Sequence, residues 1–311
     1  MLFLGIDTSA YTTSAALADE KGRPVWDERL LLPVKPGERG LMQSEAFFWH
    51  GRHLPVLWRS LPREMWRRIA AVGVSTKPRS APDSYMPVFT AGYGAAVAIA
   101  AALGVPLIET SHQEGHLAAG LCAGAAAALT DFCAVHLSGG TTEMLKVRHE
   151  AGNFTTEIIG RTEDLHAGQF VDRVGVALGL PFPAGAELER LARDAVPGAA
   201  ALIPAAVKGC NVSFSGPETA ARRLLLAGRP PADIALATEA CIARSLTKML
   251  RRAPAGIAAD VLFVGGVAAN AYLRAELQRR LPGSRLHWAP PELSRDNAVG
   301  VAVIAARRRA A

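Results

Sequence analysis

The stretch Leu2-Phe3-Leu4-Gly5-Ile6-Asp7-Thr8-Ser9 decides the predicted fold, because its pattern returns at the start of the second half of the chain. The apolar run predicts a strand that ends in a polar turn, and the alternating residues from Thr13 to Ala18 predict the returning strand. In the second copy, Phe132 to Leu137 predicts a strand, Ser138 to Thr142 a turn of small residues, and Met144 to Val147 the returning strand. A unit that occurs twice predicts a duplicated α/β chain with two lobes and a nucleotide in the cleft between them.

The two units also set the predicted domain boundaries. Residues 1–130 are expected to form an N-terminal lobe and residues 131–311 a C-terminal lobe. A chain of 311 residues, half of them apolar, is long enough to fill two cores. A tight hairpin with two glycines is the alternative explanation of the second turn.

Composition narrows the class of protein. The four cysteines contain no C-x-x-C pair, so neither a zinc knuckle nor a disulfide framework is indicated, and a reducing cytoplasm is expected. No signal peptide is expected, and the longest apolar run, from Ala95 to Leu103, is too short to cross a bilayer. A net charge of +6 permits an anionic partner such as RNA without requiring one.

The segment Glu109-Thr110-Ser111-His112-Gln113-Glu114-Gly115-His116 predicts the end of a strand, a turn and the start of a helix. Residues four apart lie on one face of a helix, so His112 and His116 can point at a single metal ion. Transition metals take three or more ligands, and Asp296 is the best remaining donor in the chain. The alternative is a pair of histidines on a helix surface, since this spacing is common by chance.

Two further segments have the composition of nucleotide-binding turns. The small residues at Ser138 to Thr142 let backbone N–H groups approach phosphate oxygens. Near the end of the chain, a predicted strand from Val261 to Val264 leads through Gly265-Gly266-Val267-Ala268-Ala269-Asn270 into a predicted helix. A base or phosphate can lie against such a turn, although an ordinary strand-to-helix turn has the same pattern. Asp172 falls early in another predicted helix and can face a ribose hydroxyl.

In this order the motifs resemble the TsaD family, enzymes of the actin-like ATPase fold that attach a threonylcarbamoyl group to an adenosine beside the tRNA anticodon. The matching segments are Gly5 to Ser9, His112 with His116, Leu137 to Gly140, Thr162 to Asp172, Phe214 to Gly216, Gly265 to Asn270, and Asp296 with Asn297.

The resemblance implies one divalent metal ion, iron or zinc, bound by His112, His116 and Asp296. It also implies an adenine nucleotide, an adenylate or ATP, held by residues from several turns: Asp7, Thr8, Ser9, Leu137, Ser138, Gly139, Gly140, Thr141, Asp172, Gly185, Glu189, Gly265, Gly266 and Asn270. The implied partners are tRNA, a smaller TsaB-like relative without a metal site, and an ATPase. The implied location is cytoplasmic, without a membrane.

Four departures from the family pattern are visible. Thr8-Ser9-Ala10-Tyr11-Thr12 lacks the acidic pair of the bacterial T-S-C-D-E, and Thr141 replaces the His or Asn of S-G-G-H/N-T. The loop from Lys77 to Tyr85 replaces a G-P-G stretch, and Met42 to His50 replaces the P-E-x-x-S-R-x-H segment. The metal and nucleotide residues are mostly kept while the surroundings of the transferred group differ, which indicates a divergent paralogue.

Three functions therefore stay open at this point. The first is threonylcarbamoyl transfer to tRNA, the second a related carbamoyl- or adenylate-handling enzyme with another acceptor, and the third a non-catalytic nucleotide-binding partner of a typical family member. A peptidase is disfavoured, because Gln113 stands where zinc peptidases need a glutamate directly after the first histidine.

Overall fold

The computed structural model describes residues 1–9, 11–35, 40–122 and 124–310. Ala10, which belongs to the altered first turn, lies outside the described residues. The described chain contains two five-stranded sheets, a short two-stranded hairpin and helices that cover both sheets.

The first sheet has the order β3-β2-β1-β4-β5. Its strands are β1 (Leu2–Asp7), β2 (Thr12–Asp19), β3 (Pro24–Leu31), β4 (Ile69–Lys77) and β5 (Leu107–Ser111). The helices between them are α1 (Gln43–Ser60), α2 (Arg63–Trp66), α3 (Phe89–Leu103) and α4 (His112–Gly120), which directly follows β5. β1 to β3 form an antiparallel meander, whereas β4 and β5 run parallel to β1.

The second sheet has the order β12-β11-β6-β7-β8. Its strands are β6 (Asp131–Leu137), β7 (Thr142–Glu150), β8 (Asn153–Arg161), β11 (Asp260–Val264) and β12 (Arg285–Trp288), and the small hairpin is β9 (Ala206–Lys208) with β10 (Asn211–Ser213). The helices of this half are α5 (Ala167–Ala177), α6 (Gly185–Ala192), α7 (Ser215–Leu226), α8 (Pro231–Arg251), α9 (Ala271–Arg280), α10 (Pro291–Ser294) and α11 (Val299–Ala310).

The two sheets have the same topology. In each, three strands form an antiparallel meander and two later strands add parallel to the first strand of the meander. β1 and β6 are therefore equivalent, as the repeated sequence pattern predicts, and the α/β class with a duplicated unit is confirmed. Both strands are buried almost throughout because each has a neighbouring strand on either side and helices on its faces.

The last helix packs on the first sheet although it follows the second one in sequence. A Cβ atom on Gly5 of β1 would lie 2.4 Å from the carbonyl oxygen of Ala298 and 2.4 Å from the nitrogen of Ala302. The backbone of α11 thus lies directly on β1, with Phe3, Ala305 and neighbouring apolar residues around the contact. A division at residue 130 stays a prediction, and α11 contributes to the packing of the N-terminal half.

No helix in the described part of the chain combines the length and the apolar character that crossing a membrane requires.

Candidate metal and nucleotide site

The two histidines are positioned by the start of α4. Ser111 is the N-cap residue, and its Oγ accepts a hydrogen bond from the backbone N–H of Glu114 at 3.2 Å. In return, the Glu114 carboxylate accepts from the backbone N–H of Ser111 at 2.8 Å. This capping box fixes the first turn immediately after β5, so His112 begins the helix and His116 lies one turn later on the same face.

Asp296 approaches both histidines from the segment before α11. The Nε2 atoms of His112 and His116 lie 3.1 Å apart, and Oδ1 of Asp296 lies 3.6 Å from the first and 3.4 Å from the second. The three ligand atoms fall within 4.8 Å of one another. Two imidazole nitrogens and a carboxylate oxygen are a ligand set typical of zinc and of non-haem iron.

Close contact between α4 and α11 brings Asp296 to this place. A Cβ atom on Gly300 would lie 1.8 Å from the carbonyl oxygen of Gly115, so the two helices touch through their backbones. Asn297 caps α11, because its Oδ1 accepts from the backbone N–H of Val299 at 3.0 Å. The packing and the cap together fix Asp296, which directly precedes Asn297, opposite the histidines.

Asp7, at the end of β1, orients the first histidine. Its Oδ2 lies 2.9 Å from Nδ1 of His112, and its carboxylate also accepts from Ser75 at 2.6 Å and from Ser9 at 2.5 Å. Burial alone would raise the pKa of Asp7, but the charge of His112 and these hydrogen bonds lower that pKa well below its usual value. The ionised Asp7 therefore holds a proton on Nδ1 of His112 and leaves Nε2 directed at Asp296 and His116.

The same contacts shift the pKa values of His112 and His116 in opposite directions. Burial would lower the pKa of His112, but the charge and hydrogen bond of Asp7, with the charge of Asp296, raise that pKa to about 9. Burial and the charge of His112 lower the pKa of His116, partly opposed by Asp296. A cation bound between the imidazoles would displace the proton that His112 carries on Nε2, since a ligating nitrogen must be deprotonated.

His136 is a site residue that the sequence reasoning did not select. It lies at the end of β6, only 1% exposed, with its ring centroid 4.8 Å from that of His116 and 6.4 Å from that of His112. Neither of its ring nitrogens has a hydrogen-bond partner among the described residues. Burial lowers the pKa of His136 well below its usual value, so the ring is neutral. The available signal was a histidine inside an apolar strand, two residues before the turn that begins at Ser138.

The loop from Lys77 to Tyr85 lies against α4 and reaches the second sheet. The backbone N–H of Gln113 donates to the carbonyl of Pro78 at 3.0 Å. Arg79 forms an ion pair with Glu143 of β7, and Gln113 donates to the other oxygen of Glu143 at 2.8 Å. The loop that differs from the family pattern therefore joins the two halves beside the histidines.

The two glycine-containing turns predicted to bind nucleotide lie against each other. Gly265 has a φ of +92°, and a Cβ atom there would lie 2.3 Å from the carbonyl oxygen of Leu137. Only glycine fits this approach. In the other turn, Ser138 Oγ accepts from the backbone N–H groups of Gly140 at 3.3 Å and Thr141 at 3.0 Å. The structure thus joins the turns after β6 and β11 at one edge of the second sheet.

The remaining predicted nucleoside residues form a second group, linked by contacts with α6, α8 and α9. Oδ1 of Asp172 accepts from the backbone N–H of Ala184, which directly precedes Gly185, at 2.8 Å. Oε1 of Glu189 accepts from the backbone N–H of Ala271 at 3.1 Å, next to Asn270. Burial raises the pKa of Asp172 to about 6, an effect that the bond from Ala184 partly offsets.

Thr8 and Ser9 make their contacts inside the first half. Thr8 Oγ1 donates to the carbonyl of Val88 at 3.1 Å and accepts from the N–H of Gly92 at 3.1 Å, while Ser9 donates to Asp7. Both side chains are buried and support the turn that carries Asp7. Their part in substrate binding stays a prediction.

Comparison with known proteins identifies the family to which the chain is similar. A model described as "TsaD: tRNA N6-adenosine threonylcarbamoyltransferase" matches residues 81–303. A curated protein of that name from Polaromonas sp. is 34% identical over 99% of this chain and 91% of its own length. Proteins of the same name from Methanopyrus kandleri and Thermus thermophilus are 30% and 32% identical, over 97% and 99% of this chain and 86% and 93% of their own lengths.

Solved structures of lower similarity show the fold alone. Component A of (R)-2-hydroxyglutaryl-CoA dehydratase from Acidaminococcus fermentans superposes with a TM-score of 0.59 at 17% identity, over all of both chains. The activator of 2-hydroxyisocaproyl-CoA dehydratase from Clostridium difficile gives 0.58 at 15%, over 98% of this chain and 94% of that one. These neighbours have the actin-like ATPase fold, which confirms the expected architecture.

Proposed function

Since the chain belongs to the TsaD family of tRNA N6-adenosine threonylcarbamoyltransferases, we propose that it transfers a threonylcarbamoyl group from threonylcarbamoyl-adenylate to an adenosine beside the tRNA anticodon. The observation that carries the proposal is the convergence of His112, His116 and Asp296 between the two sheets, in a chain whose similarity to these transferases extends over 99% of its residues.

The residues at this point fit a bound metal ion. Three ligand atoms approach one another closely, and the neighbouring His136 is buried with both ring nitrogens unpartnered among the described residues. Buried polar groups in native proteins are nearly always satisfied, so this imidazole is best explained by a cation as an additional neighbour. Iron and zinc both suit the set. When bound, such an ion supplies Lewis-acid polarisation of the carbonyl of the transferred group.

The protein's own residues have separate tasks in this reaction. Asp7 keeps the proton of His112 on Nδ1, which leaves Nε2 free as a ligand. The backbone N–H groups of Gly139, Gly140 and Thr141 bind the phosphate of the adenylate. For this, the N–H groups of Gly140 and Thr141 must exchange their hydrogen bonds to Ser138 Oγ for bonds to the phosphate. Asp172, Glu189 and Asn270 hold the nucleoside.

The chemical step is an acyl-type transfer. The N6 amine of the acceptor adenosine attacks the carbamoyl carbon, a C–N bond forms, and the bond from that carbon to the phosphate oxygen breaks. AMP leaves, and the amine loses one proton. Donors in the Ser138–Thr141 turn stabilise the negative charge that develops on the departing phosphate.

Two further elements belong to the proposal. A tRNA substrate follows from the family and fits the predicted cytoplasmic location and the net charge of +6. The smaller TsaB-like relative and the ATPase are proposed as partners on the resemblance to the family, and a curated relative named as a probable bifunctional tRNA threonylcarbamoyladenosine biosynthesis protein supports an association with other activities.

A second candidate function is the same chemistry with another acceptor. It is favoured by the loop from Lys77 to Tyr85, because Arg79 crosses to Glu143 beside the histidines and thereby alters the surroundings of the transferred group. The non-catalytic partner is a weaker candidate, since all three metal-ligating side chains are present and close together.

One experiment distinguishes these functions. Purified, metal-loaded protein is incubated with radiolabelled threonylcarbamoyl-adenylate and unmodified tRNA, beside a His112→Ala/His116→Ala variant and a His149→Ala control. Label on tRNA with the wild type and the control, lost in the double variant, is the expected result. AMP release without labelled tRNA would identify another acceptor, and nucleotide binding without turnover would identify the non-catalytic partner.

A further inference from the structure

We propose that Glu239 is a positioning residue of the nucleoside site, whose carboxylate fixes the orientation of the Asn270 side-chain amide and so contributes to the affinity for an adenine nucleotide. The inference rests on the proposed function, which places Asn270 beside the nucleoside.

Glu239 lies in the middle of α8 and is 2% exposed. Its Oε1 accepts a hydrogen bond from Nδ2 of Asn270 at 2.6 Å. Asn270 is also the N-cap residue of α9, because its Oδ1 accepts from the backbone N–H of Leu273 at 2.8 Å. Both ends of the amide are therefore bonded, one to a charged side chain and one to a helix terminus.

This arrangement permits one orientation of the amide. An ionised carboxylate only accepts hydrogen bonds, and a backbone N–H only donates them. Rotation of the Asn270 amide by half a turn would set its oxygen against Glu239 and its NH₂ group against the N–H of Leu273. The ionised Glu239 thus selects the orientation, which leaves the second hydrogen of Nδ2 for an acceptor atom of the ligand.

The neighbouring contacts fix the same turn from another side. Oε1 of Glu189, on α6, accepts from the N–H of Ala271. Asn270 and Ala271 are consequently held by carboxylates from two different helices. A turn held in this way presents its polar atoms to a ligand without reorganisation, which is the general requirement of a preorganised site.

A role in packing alone does not explain why residue 239 is a glutamate. Oε2 of Glu239 is buried without a hydrogen-bond partner among the described residues, and a glutamine would offer the same acceptor to Asn270 without a buried charge. Burial raises the pKa of Glu239 to about 7, with the Asn270 bond opposing the shift, Glu189 adding to it and Arg193 opposing it. The charge of Glu239 in turn contributes to a raised pKa of Tyr272 on α9, after burial and the charge of Glu276. Costly polar groups of this kind concentrate at functional sites.

The test measures ADP affinity by calorimetry between pH 6 and pH 8.5 for the wild type, Glu239→Gln, Glu239→Leu and a control, Glu218→Gln. Glu218 is a buried acid on α7 that pairs with Arg222 and lies outside the site. The ionisation of ADP itself is the same in all four experiments. Differences between the proteins in how ADP affinity changes with pH therefore come from the substituted side chain.

Glu239→Leu is expected to bind ADP about tenfold more weakly or worse, the loss of one hydrogen bond to a charged group. Glu239→Gln is expected to bind within about threefold of the wild type at pH 8.5, since it keeps an acceptor for Asn270, and to lose less affinity than the wild type toward pH 6. Glu218→Gln is expected to follow the wild type throughout.

Two results would overturn the inference: wild-type affinity in Glu239→Leu, or parallel pH profiles for the wild type and Glu239→Gln. If the wild type bound no ADP, the nucleotide site of the proposed function would fail and the inference with it. If the predicted ADP pattern appeared without transfer to tRNA, the role of Glu239 would stand while the acceptor would be wrong.

Discussion

Oδ2 of Asp7 lies 2.9 Å from Nδ1 of His112, which joins the end of the first strand to the first residue of the helix that carries both histidines. The contact spans 105 positions of sequence and places a buried carboxylate behind an imidazole that we propose as a metal ligand. Such a partner fixes the tautomer of the histidine and increases its strength as a ligand.

Replacing Asp7 by Asn is expected to weaken metal binding about 10- to 100-fold, the usual effect of losing an outer carboxylate partner. The measurement is competition with a chromophoric zinc chelator at pH 7.5. Asp131→Asn removes a carboxylate that pairs with Arg148 at an exposed strand end and serves as the control. Unchanged zinc affinity in Asp7→Asn would show that the carboxylate has no role in the metal site.

His136→Leu is expected to separate the stability of the metal-free protein from its response to metal. The free energy of unfolding of the metal-free variant should exceed that of the metal-free wild type by about 1–3 kcal/mol, because a buried imidazole without hydrogen-bond partners among the described residues is removed. Its rise in melting temperature on adding zinc should be smaller than that of the wild type, since one neighbour of the ion is missing. Melting curves with and without zinc measure both quantities, and an undiminished zinc response would exclude contact between His136 and the ion.

Gly300→Ala is expected to reduce both stability and metal affinity. The added Cβ would lie 1.8 Å from the carbonyl oxygen of Gly115, so α11 must move away from α4 and carry Asp296 with it. Overpacking of this kind costs about 1–3 kcal/mol or more. Gly94→Ala on α3 is the matched control, since its Cβ would meet nothing within 4 Å and should stabilise the helix by up to about 1 kcal/mol. Unfolding by urea and zinc competition measure the two effects, and a Gly300→Ala variant with native values in both would refute the packing argument.

Asp172→Asn is expected to make the folded protein more stable at high pH and to weaken its binding of nucleotide. The folded-state pKa of Asp172 is raised to about 6, so the folded protein holds this proton more tightly than the unfolded chain does. The free energy of unfolding therefore falls as the pH rises from about 4 through 6, and ionised Asp172 costs about 3 kcal/mol above that range. Asn retains the acceptor for the Ala184 N–H.

The variant should thus be more stable than the wild type at pH 8, equally stable near pH 4, and weaker in binding ADP. Urea unfolding at both pH values and calorimetry with ADP measure the changes. A stability difference that is the same at pH 4 and pH 8 would show that the ionisation of Asp172 is not its source.

The architecture could be predicted because it depends on a pattern that is written twice in the chain. The apolar run from Leu2 to Ile6 and its counterpart from Phe132 to Leu137 each predict a buried strand, and each begins a meander in the structure. The spacing of His112 and His116 likewise follows from helix geometry. Asp296, the proposed third ligand, could be named only as the best remaining donor and from the resemblance to a family, since no local pattern relates it to a segment so far away in sequence.

The support of the site could not be predicted, because it consists of contacts between distant segments. Nothing near Asp7 indicates that it pairs with His112, and nothing near Gly300 indicates that α11 returns to the first sheet. His136 has the strand position of an apolar residue, and only its burial beside His116 distinguishes it. The role of Glu239 depends on the approach of α8 to the cap of α9, which the sequence of neither helix specifies.

The central claim is that His112, His116 and Asp296 hold one metal ion on which the transfer depends. The most direct test is to strip the protein with a chelator, add iron(II) or zinc in steps, and follow label transfer from threonylcarbamoyl-adenylate to tRNA at each step. Activity that rises linearly and stops rising at one equivalent of metal per chain, with Asp296→Asn inactive at that point, is the predicted result. Full transfer by the stripped protein, or full activity of Asp296→Asn, would contradict the account.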